Sequence, residues 1–111
     1  MYGELFFVSL IVILWLAVQL YSVKVYRFYS PKCGYCVASQ KEWDKFKTQC
    51  TLKLIKCIDV NVEANDANMR FAKDFGVTSW PTVILVTLDG RQFVHTGERT
   101  AASYMKFVSS H

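Results

Sequence analysis

Apolar positions are spread very unevenly along the chain. Leu5 to Val23 contains no charged residue, and the run of 19 residues is apolar on every side. At 1.5 Å per residue a helix of that length measures about 28 Å, close to the hydrocarbon thickness of a bilayer. A helix buried against a globular core would carry a polar face, and this stretch has none. Residues 1–23 are therefore expected to form an N-terminal anchor, with a single membrane span over 5–23. A cleaved signal peptide is the alternative. Such a signal wants a basic start and small residues before the cut, whereas this chain begins Met1-Tyr2-Gly3-Glu4 and offers only weak sites such as Ala17-Val18-Gln19.

After the apolar run the pattern changes to short alternating stretches and amphipathic ones. It predicts strand 24–29, helix 34–49, strand 53–59, helix 65–75, strand 82–88, strand 91–96 and helix 100–109. Asp89-Gly90 between two apolar runs reads as a hairpin turn. Gly76 suits a helix end that needs positive φ. No internal repeat or low-complexity linker interrupts the order βαβαββα. Residues 24–111 are expected to be one small α/β domain with a mixed sheet flanked by helices.

Composition sharpens this picture in two places. Hydrophobic residues make up 52% of the chain, high for a soluble domain, but the excess sits in the first two dozen residues. All thirteen Lys and Arg and every acid but Glu4 lie from residue 24 onward, which gives that part a net charge of +5. The bases are scattered, without a run or an interleaved aromatic array, so nucleic acid is not an expected partner. Lys24, Arg27 and Lys32 follow the span and only Glu4 precedes it, so the positive-inside rule favours the domain on the cytoplasmic side. A disulfide-handling site would be most useful on the opposite side, and the orientation stays open.

Chemistry concentrates in Lys32-Cys33-Gly34-Tyr35-Cys36, where a strand-like stretch ends at Ser30-Pro31 and a helical pattern begins. At a helix N-terminus the unpaired N–H groups and the macrodipole favour an anion, and Lys32 adds a positive charge. Both push Cys33 towards thiolate. Cys36, one turn further in, is close enough to bridge to Cys33 and to expel a partner from a mixed disulfide. A zinc site would need two more ligands from Cys50, Cys57, His95 and His111, with no second paired motif to supply them. A structural disulfide over so short a step would restrict the unfolded chain little. Thiol–disulfide exchange is the expected chemistry, and neither metal nor cofactor is called for.

Phe28-Tyr29-Ser30-Pro31-Lys32-Cys33-Gly34-Tyr35-Cys36 resembles the active-site stretch of the thioredoxin superfamily, above all the disulfide isomerase branch with its Phe-Tyr-Ala-Pro-Trp-Cys-Gly-His-Cys. Phe75-Gly76-Val77-Thr78-Ser79-Trp80-Pro81-Thr82 resembles the second landmark of that superfamily, a loop carrying a cis-proline. The resemblance runs from Val23 to the C-terminus and implies the minimal core of the thioredoxin fold. It also implies a membrane-anchored oxidoreductase or isomerase with a redox-active Cys33–Cys36 disulfide, Cys33 as nucleophile and Cys36 as resolving thiol. Tyr35, Trp80 and Pro81 would bind extended, cysteine-bearing protein substrates, and a separate reductase or oxidase would set the redox state. A glutaredoxin is an alternative, since its motif often carries Tyr in the third position, but the downstream Gly-Gly pair that holds glutathione is absent. A tethered binding module without catalysis is the other. Cys50 and Cys57, at a helix end and within a strand, are read as small hydrophobes.

One departure stands out. Six residues before the first cysteine, where relatives carry a buried Asp or Glu, this chain has Arg27. The partner lysine of those relatives would fall on Ile55 or Cys57. Arg27 is expected either to lower the thiol pKa values or to turn outward to water.

Overall fold

A computed structural model describes residues 2–21 and 23–111, and the side chains of all of these except residues 2 and 18–21. The chain forms α1 (Tyr2–Tyr21), β1 (Val23–Tyr29), α2 (Gly34–Thr51), β2 (Ile55–Asn61), α3 (Asp66–Asp74), β3 (Thr82–Val86), β4 (Gln92–Val94) and α4 (Ala101–Ser109). From β1 onward this is the expected βαβαββα order.

The strands lie in the order β2-β1-β3-β4, with β1 parallel to β2 and antiparallel to β3, and β3 antiparallel to β4. Side-chain alternation on β1 divides the core in two. Val25 joins Trp43, Phe46 and Cys50 of α2, Val83 and Leu85 of β3, and Ala101 and Tyr104 of α4. Phe28 faces the other way and packs with Val60, Val62, Ala72, Val77 and Ile84 under α3. The buried stripe of α2, Cys36, Ser39, Trp43, Phe46 and Cys50, has helical spacing and explains why this segment is a helix lying on the sheet.

Element ends differ from expectation where local turn chemistry decides. The second helix runs on to Thr51, whose hydroxyl donates back to the Lys47 carbonyl at 3.1 Å. The chain then turns through Leu54 at φ 56°, so β2 begins at Ile55, in register with Val23, rather than at 53. The hairpin turn is longer than two residues: Gly90 N–H donates to the Thr87 carbonyl and Thr87 N–H to the Arg91 carbonyl, with Gly90 at φ 85°. Both flanking strands are shortened accordingly. Gly76 at φ 73° ends α3 as expected, and the N–H groups of Gly76 and Val77 cap the Lys73 and Ala72 carbonyls.

The expected anchor forms α1, and its apolar side chains from Leu5 to Leu16 are exposed. Among the described residues no helix is long and apolar enough to cross a membrane. The last part of the expected span, residues 18–22, lies outside the residues whose side chains are described.

Candidate functional site

β1 ends at Tyr29 and the chain turns through Ser30, whose hydroxyl accepts from Lys32 N–H at 3.2 Å and whose carbonyl accepts from Cys33 N–H at 3.1 Å. That turn delivers Cys33 to the N-cap of α2, where its sulfur accepts the Cys36 N–H at 3.2 Å. A cysteine thus occupies the position usually held by Ser, Thr or Asp, and its sulfur receives the hydrogen bond an N-cap oxygen would. Cys33 is half-buried and Cys36 is 2% exposed. Both thiols are free.

The two thiols are driven apart in acidity. Burial opposes ionisation of Cys33, but hydrogen bonds from the Cys36 thiol and from the Cys36 and Tyr35 N–H groups, with the charge of Arg99, outweigh it and hold Cys33 below an ordinary thiol. Cys36 is pushed up by burial, by its hydrogen bond to Cys33 and by the Cys33 charge, while a hydrogen bond with the Ser30 backbone and the charge of Arg27 pull in the opposite direction.

The second landmark loop meets the first. The Trp80–Pro81 bond is cis, and the Cys33 thiol donates to the Trp80 carbonyl at 3.5 Å. Trp80 offers its backbone here, because its side chain is half-buried against the α3 core. Beside the motif Tyr35 and Val37 are exposed, at 69% and 65%. A groove beside it is lined by Tyr29, Ser30, Pro31, Cys36, Val37 and Gln40.

Two arginines act on the cysteine pair from other elements. Lys32 is exposed; the cation acting on Cys33 is Arg99, whose guanidinium lies 5.2 Å from the Tyr35 ring centre. Arg99 reaches the site from the turn before Thr100, the N-cap of α4. Nothing in the local sequence marks it, since it lies far along the chain from the cysteines. Arg27 does not turn outward: it is 0% exposed. Its guanidinium donates to the Cys36 carbonyl at 2.8 Å, Gln40 Oε1 at 2.9 Å and Ser39 Oγ at 3.2 Å, and lies 5.1 Å from the Tyr29 ring centre and 5.8 Å from that of Trp43. Its Nε has no hydrogen-bond partner. Strand alternation is the reason, because Arg27 shares the face of Val25 and points under α2. The residue paired with Arg27 on β2 is Asp59. The Asp59 carboxylate accepts from Trp43 Nε1 and from Lys47 Nζ, the latter at 2.8 Å.

Cys50 and Cys57 lie away from this site, in the α2–β2 core. Among the described residues no three His, Cys, Asp or Glu side chains are grouped so as to hold a metal ion.

A sheet of this order with a two-cysteine motif capping the helix after its central strand, beside a cis-proline loop, defines a thioredoxin-like dithiol domain. The Thioredoxin family model matches residues 18–110, and the chain belongs to that family. A probable protein disulfide-isomerase A4 of Caenorhabditis elegans is 28% identical over 86 residues, 74% of this chain, and the chain spans only 13% of that relative's length. The first thioredoxin domain of mouse protein disulfide-isomerase A4 superposes with a TM-score of 0.66 at 24% identity, covering 80% of this chain and 62% of that one. Thioredoxin of Fasciola hepatica superposes with a TM-score of 0.66 at 18% identity, covering 86% of this chain and 88% of its own. At these identities the solved structures speak for the fold.

Proposed function

We propose that this protein is a thiol–disulfide oxidoreductase of the disulfide isomerase type, acting on protein cysteines through Cys33 and Cys36. The observation that carries the reading is the unequal pair at the start of α2: an accessible Cys33 held below the usual thiol range, and a buried Cys36 held above it. A low pKa makes a nucleophile at neutral pH, and a buried thiol one turn behind can act only on a sulfur already bound to the first.

The Cys33 thiolate attacks one sulfur of a substrate disulfide; a new S–S bond forms and the substrate's other sulfur leaves as thiolate. Cys36 then loses its proton and attacks Cys33, the mixed disulfide breaks, and the substrate departs reduced while Cys33–Cys36 carries the disulfide. Run backwards, the same steps oxidise a dithiol substrate, and an exchange that stops at the mixed disulfide isomerises. The exposed Tyr35 and Val37 and the backbone of Trp80-Pro81 support an extended peptide across Cys33. Arg27 stabilises negative charge on Cys36, favours the reduced state and makes the pair more oxidising than one with a carboxylate in its place. Lys32, exposed beside the motif, adds to the positive field that meets a thiolate.

The exposed apolar side chains of α1 support a single-pass membrane tether for this domain. Retention of the full chain in the membrane pellet after carbonate extraction at high pH tests the tether, and release into the supernatant contradicts it. For the catalytic reading the test is reduction of insulin by dithiothreitol with the full chain in detergent. Turnover well above that of Cys33→Ser is expected; equal rates would leave a binding module that keeps the fold without the chemistry.

A further inference from the structure

The end of the sheet where α1 joins it is built differently from the end that carries the cysteines. α1 ends at Tyr21 and β1 begins at Val23, so one residue separates the apolar helix from the sheet. Strand register fixes what else lies at this end. Val23 pairs with Ile55, which brings the turn 52–54 beside it, and Lys24 pairs with Val86, which brings the 87–91 hairpin. The last turns of α2 and α4 reach the same end. One groove joins Leu52 and Lys53 to Met105 and Lys106, and another joins Val23 and Leu88 to Val108.

Leucine and positive charge are both concentrated there. Among the described residues from Val23 onward, every exposed leucine sits on these two turns: Leu52 at 88%, Leu54 at 66% and Leu88 at 65%. Apolar side chains gathered at one end, rather than scattered, mark a contact surface. Beside Lys24, the segments 50–56, 86–91 and 105–109 carry Lys53, Lys56, Arg91 and Lys106 and a single acid, Asp89, which Arg91 Nε meets at 2.8 Å. Among the described residues no acid pairs with Lys53 or Lys106. The cysteine end has the reverse balance, since residues 30–35, 61–66, 77–81 and 95–100 carry Lys32 and Arg99 against Glu63, Asp66 and Glu98.

We propose that the α1 end of the domain is a docking face for anionic lipid, with Leu52, Leu54 and Leu88 entering the headgroup layer and Lys53 and Lys106 lying among the phosphates. Such a face rests on the tether read from α1 and adds to it a fixed posture of the domain on the bilayer. Continuity selects lipid as the occupant: with one residue between helix and sheet, a bilayer that holds α1 lies directly against these turns. Charge selects anionic headgroups, because the surface potential of an anionic leaflet enriches each unit of positive charge about threefold. Leucine below and lysine above is the division an interfacial surface needs. A second copy of the chain would set this positive face against itself, which like charges oppose. The seven residues of β1, at about 3.3 Å each, carry the cysteine end roughly 20 Å from the face. Docking therefore turns the dithiol away from the lipid, towards proteins in the aqueous phase.

Lysine footprinting of the full chain tests the face without substitution. The chain is reconstituted into phosphatidylcholine vesicles, into vesicles rich in phosphatidylglycerol, and held in detergent. Flotation reports incorporation, and acetylation by a membrane-impermeant reagent is read residue by residue by mass spectrometry. Labelling of Lys53 and Lys106, relative to the exposed Lys32 and Lys41 of the same molecules, should fall roughly threefold or more in the phosphatidylglycerol vesicles and partly recover in high salt. Leu52→Ser/Leu54→Asn/Leu88→Ser alters only exposed side chains and puts Asn at the left-handed position of Leu54. It should still float and should lose most of that fall. Chains that float with the phosphatidylglycerol vesicles yet label Lys53 and Lys106 as in detergent would overturn the docking face and leave the tether standing. Chains that fail to float contradict the tether, and the docking face with it. Equal shielding in detergent that grows with protein concentration would give the face to a second copy and overturn the assignment to lipid.

Discussion

Replacing Arg27 by Met removes a charge from the core and keeps a side chain of similar length. Burial of an unpaired cation costs several kcal/mol. Against this stand three hydrogen bonds to a charged donor, about 2 kcal/mol each, and two aromatic faces at about 1 kcal/mol each. The two sides nearly cancel. Little is orphaned by the change: the Cys36 carbonyl keeps a helical N–H donor, Ser39 still donates to the Tyr35 carbonyl at 2.7 Å, and Gln40 still reaches Asp44 at 2.9 Å. Arg27→Met is therefore expected to leave stability within about 2 kcal/mol of wild type, on the stabilising side if either. The thiols should respond more clearly. A unit charge taken at about 7 Å, with an effective dielectric near 20, is worth about 2.4 kcal/mol to a thiolate, or about 50 mV in a two-electron couple. Losing it disfavours the reduced, ionised form, so the reduction potential should fall by up to about 50 mV. Arg27→Asp should fall further. Equilibration with glutathione, read by alkylation of free thiols, gives the potential, and urea unfolding gives the stability. A Met variant destabilised by about 3 kcal/mol or more with an unmoved potential would make Arg27 a structural residue and refute the reasoning.

Arg99→Gln should raise the pH midpoint of Cys33 alkylation, because the cation that favours its thiolate is gone, and the difference should shrink at high salt as the exposed charge is screened; an unchanged midpoint at low salt would exclude Arg99 from the site. Burial, with Arg99 assisting, lowers the pKa of His95, so the unfolded chain binds a proton more readily than the native one. Stability from this group is complete above its unfolded pKa, about 6.5, and declines as pH falls below it. His95→Asn should flatten the drop in Tm between about pH 7 and pH 5, and an equal slope in both proteins would contradict it.

The site was legible in the sequence to the extent that its chemistry is local. Cys33 and Cys36 share one helical turn, and Pro31 and Ser30 mark the junction that places them at an N-terminus. The β and α periods from residue 24 onward likewise recover every element, since α2 carries its buried residues at helical spacing and β1 alternates. What was not legible depends on where separate segments meet. Lys32 is adjacent to Cys33 in the chain, yet Arg99 is the cation that acts on it, delivered by the turn before α4. The period-two pattern of β1 does place Arg27 on the face of Val25; that the face lies under α2, with Ser39 and Gln40 ready to accept, follows only from packing. That Asp59 pairs with Arg27 follows from the register of β2 against β1, which the sequence pattern alone does not set. That the Trp80 carbonyl meets Cys33 depends on how the cis-proline loop packs beside α2.

Trapping tests the division of labour between the two thiols most directly. With Cys36→Ala the mixed disulfide on Cys33 has no internal thiol to resolve it, so a reduced full-chain variant incubated with a disulfide-bearing protein should accumulate as a covalent adduct that dithiothreitol releases. Cys33→Ala should form little adduct, because the remaining sulfur of the pair, Cys36, is 2% exposed. Equal capture by the two variants, or more by Cys33→Ala, would contradict the account.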